Sequence, residues 1–176
     1  MSKPFARLAI QSIASIAVLA PASATRATTF EDITLEQLAA ASDLVVIGRV
    51  EHVDVHPTGP GGQPGIHTRA VVQVAETLRG EHRTIIEVWV HGGRLGDRVR
   101  VVPGQATFRA GEEVALFLFE AAGGLWPTGM SRGKWVLGGL QPDATMIVPT
   151  GVGALGPAGS QLTPADLATV VGRLAR

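Results

Sequence analysis

The sequence contains no cysteine, which removes disulfide staples, thiol nucleophiles, cysteine-ligated zinc and iron–sulfur clusters together. Tyrosine is also missing, so histidine aside, three tryptophans and five phenylalanines carry the aromatic chemistry. Charged residues make up only 17% of the chain and balance at 15 basic to 15 acidic. The concentrated basic surface of a nucleic-acid binder is therefore lacking. Beyond the first 24 residues, no stretch approaches the ~20 apolar residues of a membrane-spanning helix. Internal repeats are absent as well. Glycine (22) and proline (11) are plentiful, the composition of short strands joined by many turns.

Residues 1–24 read as an export signal. Lys3 and Arg7 make a positive start, and Leu8 to Ala20 is an apolar run interrupted only by Gln11, Ser12 and Ser15. Pro21 ends the run, and Ala22-Ser23-Ala24 supplies a small-x-small cleavage site. The expected product begins at Thr25 and is exported, to the periplasm or beyond the cell. Loss of Lys3 and Arg7 leaves two fewer than 15 basic residues against 15 acidic ones, a formal charge of −2. A single domain of the remaining size can bury a core without covalent staples.

Residues 25–33 read as a flexible lead-in. Thr34 and Gln37 form a capping box for a short helix whose apolar positions are Leu35, Leu38, Ala39 and Ala41. The continuous run Leu44 to Val50 is a strand buried on both faces. Val46 and Val50 share one parity whereas Val53 and Val55 take the other, which predicts a β-bulge near Glu51-His52. Pro57 to Gly65 is a turn-rich loop, returning into a strand from Ile66 to about Leu78. Thr84 to His91 follows, with Ile86, Val88 and Val90 on one face and Ile85, Glu87, Trp89 and His91 on the other. Val99 to Val101 adds a short strand, Val114 to Phe119 is the strongest core strand, and Trp126 to Leu137 is its expected partner. Ala144 to Val148 is a weak last strand. Thr163 caps a helix over residues 163–175, with Pro164 at its first position and Leu167, Val170, Val171 and Leu174 as its stripe. The expected fold is mainly β: a small five-to-six-stranded Greek-key, OB-like barrel over residues 34–150, with a short N-terminal helix, a Gly-rich loop at 151–162 and the C-terminal helix.

Two catalytic-looking motifs fail on context. Gly129-Met130-Ser131-Arg132-Gly133 fits G-x-S-x-G, but the strand expected from Lys134 stands where a nucleophile elbow needs a helix. Gly151-Val152-Gly153-Ala154-Leu155-Gly156 fits G-x-G-x-x-G, but Pro157 and Gly159 intervene before any helix could receive a pyrophosphate. Neither supports an enzyme or a bound cofactor. His52, Asp54 and His56 alternate along one strand face, and His67 lies on the return strand. Together they are a candidate divalent-metal set. A solvated strand face is the plainer reading of the same residues. Trp89 and His91, with Arg132 and Lys134, are candidates for an interaction surface.

Four stretches together resemble the netrin-like module, the OB-fold shared with tissue inhibitors of metalloproteinases and similar to a series in exported bacterial proteins. They are Ala41 to Val50, Val72 to Gly80, Phe108 to Leu118 and Gly129 to Val136. The resemblance implies an OB barrel and a binding role outside the cytoplasm, toward a protein partner such as a secreted peptidase. The inhibitors' N-terminal cysteine wedge has no counterpart here. The expected function is thus a non-enzymatic exported binding domain. The alternatives are a metal-binding module on the His/Asp face and a cell-envelope carbohydrate binder using Trp89. Amino-terminal sequencing of the exported product should read from Thr25; a product that retains Lys3 and Arg7 would refute the signal assignment.

Overall fold

The computed structural model describes residues 33–138, 140, 146–147, 152–153 and 162–174. The expected export signal, nearly all of the expected lead-in and most of the 151–162 loop lie outside the described residues.

The capping box forms as read. The Gln37 amide donates to Thr34 Oγ1 at 3.2 Å and the Thr34 amide donates to Gln37 Oε1 at 2.9 Å. They start α1 (Leu35–Ala40), whose end is held by Arg79 donating to the Ala39 carbonyl at 3.1 Å. A helix this short is stable only through its packing. Leu35, Leu38 and Ala39 are fully buried. Immediately before it, β1 (Ile33–Thr34) pairs in parallel with β11 (Val152–Gly153).

Strand β2 (Leu44–Thr58) explains its own apolar run by serving two cores. Leu44, Val46 and Val50 enter one, shared with Ala70, Val72, Val88, Leu116 and Leu118. Val45 and Ile47 enter the other, between the sheet and the helices, with Phe117, Trp135 and Leu38. Gly48 stands where the strands press closest, since a Cβ there would run into the Gln73 carbonyl. Between Val50 and His52 the register against β3 (Pro64–Arg79) shifts by a residue. The bulge expected near Glu51-His52 is therefore present. Beyond it Val53 packs on the first core, and His52, Asp54 and His56 turn outward.

Strand β4 (Ile85–His91) pairs antiparallel with β3 and buries Ile86, Val88 and Val90, the face expected. A small hairpin, β5 (Gly93–Leu95) and β6 (Arg98–Arg100), follows it. Strand β7 (Glu113–Ala121) is the central core strand; Val114 to Leu118 are all fully buried. Its single expected partner over Trp126 to Leu137 is instead two strands. β8 (Gly124–Pro127) and β9 (Lys134–Leu137) flank a 3-10 turn at Met130–Gly133. The interruption comes from left-handed backbone at Gly129 (φ 64°) and Met130 (φ 63°), and from Gly133, where any Cβ would strike Thr128 and Phe117 backbone. Strand β10 (Met146–Ile147) pairs with β9, inside the weak last strand expected.

The sheet order is β10-β9-β7-β2-β3-β4-β8, and β7 also pairs with β8. It is mixed, because β4 meets β8 in parallel at Val88 and Leu125 while its other ladders are antiparallel. Helix α2 (Pro164–Leu174) closes the second core, its start capped by reciprocal bonds between Thr163 and Asp166. Leu167, Val170 and Val171 are buried as read, but Leu174 is 38% exposed because the helix ends beyond the sheet-facing stripe. No described helix is long and apolar enough to cross a membrane. Leu167→Ala should therefore cost about 2–5 kcal/mol in denaturant unfolding. Leu174→Ala should change stability by about 0.5 kcal/mol or less.

Candidate functional site

The outward face of β2, β3 and β4 is built in cross-strand rows that follow from the register. Asp54 lies opposite Arg69, and Arg69 opposite Trp89. One step along, His56 lies opposite His67, and His67 opposite His91. Residues in such a row share a face, with Cβ atoms about 5 Å from one strand to the next.

The first row is an ion-pair network under a tryptophan. Arg69 binds both carboxylate oxygens of Asp54, at 3.0 and 2.7 Å, and reaches Glu87 at 3.0 Å. The bidentate pairing is the largest cause holding the Asp54 carboxyl down at about 2, well below the usual range. The Arg69 guanidinium sits 5.9 Å from the ring centre of Trp89, and the His56 ring stands 5.4 Å from the same indole. His56 Nε2 lies 3.0 Å from Asp54 Oδ1, close enough for an ion pair if protonated, yet off the line of a hydrogen bond. His52 is the outer member, 3.8 Å from Asp54 and largely exposed.

The second row goes under cover. His67 is only 1% exposed, and its Nδ1 donates to the Gly65 carbonyl at 2.8 Å. The Gly/Pro loop makes the lid. A Cβ on Gly59 would come to 3.0 Å from His67 Nε2, and Pro60 presses on Gly124 beside Trp89. His91 lies against His67 at 4.9 Å and against Trp126 at 4.7 Å between ring centres. Its Nδ1 is buried without a hydrogen-bond partner. Burial first, then the charges of His67 and Arg100, lower its pKa below the ordinary imidazole value, so it is neutral at pH 7.

Two cavities meet at this histidine. One, about 390 Å³, opens under the β5–β6 hairpin and is lined by Val53, Val55, Val90, Val102 and Phe108. The other, about 370 Å³, is lined by Phe119, Trp126, Pro127 and Met130. His91 and Gln105 belong to both.

The residues singled out in the sequence are thus divided. His52, Asp54 and His56 do share one face, but Arg69 occupies the Asp54 carboxylate and His67 lies beneath the loop. Among the described residues no group of three His, Asp or Glu side chains is gathered for a metal ion. Trp89 and His91 stand together on β4. Lys134 does not join them, which corrects its place on an interaction surface. It is buried on β9, paired with Glu112, bonded to the Thr107 carbonyl at 2.5 Å and set 4.9 Å over the Phe108 ring. Arg132 sits in the 3-10 turn, and its carbonyl accepts the Trp135 indole N–H at 2.8 Å. Sequence reasoning missed Arg69, Arg100 and Gln105. Arg69 was reachable, since pairing His56 with His67 across the loop places Asp54 opposite it. No model of a known protein family matches the chain, and no curated protein matches it.

The low Asp54 pKa makes a signed prediction. Its folded value lies below the ordinary 3.8, so its stabilisation is full above about pH 4 and is lost as pH falls through about 2. Asp54→Asn should lower stability at pH 7 by about 1 kcal/mol, given partial solvent screening. It should also flatten this part of the acid-unfolding profile. An unchanged profile would remove the network from the stability account.

Proposed function

We propose that this chain is an exported, non-enzymatic binding domain of OB-like, netrin-like architecture that contacts another protein outside the cytoplasm. The strand pairings support the barrel: β2-β3-β4-β8-β7 leads back to β2, so the chain of ladders returns to its starting strand. The export signal supports the location.

One observation carries the binding role. Val99 and Val101 are 51% and 79% exposed beside the mouth of an apolar cavity, at the end of the sheet where the Gly/Pro loop and the β5–β6 hairpin project. Loops carried on a rigid sheet are a common place for recognition, and apolar side chains exposed together beside an apolar cavity mark an interaction site. A secreted peptidase is the partner class the resemblance implies.

A photo-crosslinking residue at position 101 should capture a discrete protein from the native extracytoplasmic fraction at physiological salt. The same residue at position 173, on the exposed side of α2, should capture none. No adduct from 101, or the same adducts from both positions, would overturn the assignment of this end as the contact surface.

A further inference from the structure

The cavity under the β5–β6 hairpin combines an apolar wall with an exposed cation at its rim. Its wall is apolar, formed by Val53, Val55, Val90, Val102 and Phe108, yet Arg100 also lines it. Arg100 makes no ion pair with any described residue. No Asp or Glu lines this cavity or the adjoining one. The guanidinium is nonetheless placed. Gly65, at φ 118°, leaves room that a Cβ would take, 2.5 Å from Arg100 Nη1 and 3.9 Å from His67 Cε1. Gly93 lets the hairpin close over Val55 and Thr68, since its Cβ would come within 2.7 Å of Thr68 Oγ1. His91 also lines the cavity, with its Nδ1 sealed from solvent.

These elements define a ligand. An unpaired guanidinium beside apolar surface calls for one negative charge attached to an apolar body, and its planar fork fits a carboxylate in bidentate fashion. A dianion would be undercompensated, because Arg100 is the only lysine or arginine lining the cavity. A neutral ligand would leave Arg100 unpaired. We infer that this cavity binds an apolar monocarboxylate, with its carboxylate on Arg100 and its hydrocarbon part against Val53, Val55, Val90 and Phe108. Two sources share that chemistry: a free medium-chain acid, and a hydrophobic residue at the C-terminus of a peptide. The site stands whether or not the crosslinking partner exists, because a direct titration needs none.

Calorimetric titration of the purified full chain with octanoate, octanol, N-acetylleucine and N-acetylleucinamide tests it. At least one acid should bind saturably, and about tenfold or more tighter than its neutral counterpart. Octanoate alone would identify a free acid as the ligand, and N-acetylleucine alone a peptide C-terminus. Arg100→Gln should abolish the preference for acid over neutral. Arg94→Gln removes the same charge from an exposed position in the same hairpin, outside the cavity lining, and should leave that preference intact. Both variants should melt at the wild-type temperature. No saturable binding by either acid, equal binding of acid and neutral, or a preference surviving Arg100→Gln would each overturn the inference.

Discussion

A strand that must bury both faces at one end and a single face at the other cannot keep one alternation along its length. In β2 the conflict is resolved by the register shift between Val50 and His52. Before it, even-numbered residues face the sheet core and odd-numbered ones the helices; after it, Val53 packs on the sheet core and the even-numbered side chains point out. A one-residue slip exchanges the faces of everything beyond it. Without this bulge, His52, Asp54 and His56 would point into the core and Val53 and Val55 into water. The ion-pair row, the apolar cavity and the covered histidines all lie downstream of that single extra residue.

The two cores divide the labour. The helix-covered core, with Phe117 and Trp135 5.2 Å apart between ring centres, anchors the half of the sheet where β2, β7 and β9 meet. The other half has no helix over it among the described residues and is covered by the Gly/Pro loop, Trp89 and Trp126. There the packing is looser, and cavities of several hundred Å³ open between sheet and loops. A binding role belongs to the second half for that reason: the first half supplies rigidity, and the second has surface left uncovered.

Charge is distributed with the same asymmetry. Arg69 is shared between Asp54 and Glu87 on the outer face, and Lys134 is buried only because Glu112 and the Thr107 carbonyl receive it. Arg100 has no such partner among the described residues, and the histidines nearest to it cannot supply one. A cation left over beside an apolar wall is the electrostatic counterpart of the exposed Val99 and Val101.

Much of this was legible in the linear chain because it depends on neighbours a few residues apart. The capping boxes at Thr34 and Thr163, the doubly buried run from Leu44, the alternation of Ile86, Val88 and Val90, and even the parity slip before Val53 are local patterns with local physical causes. The break between β8 and β9 was hidden, since it arises from Gly133 meeting the Phe117 carbonyl on a distant strand. The burial of Lys134 was hidden likewise, because its partners lie on another segment. His52, Asp54, His56 and His67 could be placed near one another by sequence, but not assigned their neighbours. Composition and periodicity determined that this is a mainly β chain with two capped helices and a polar strand face. Only tertiary pairing decided that Arg69 takes Asp54, that a loop closes over His67, and that Arg100 stands alone at an apolar cavity, for each depends on residues brought together across strands.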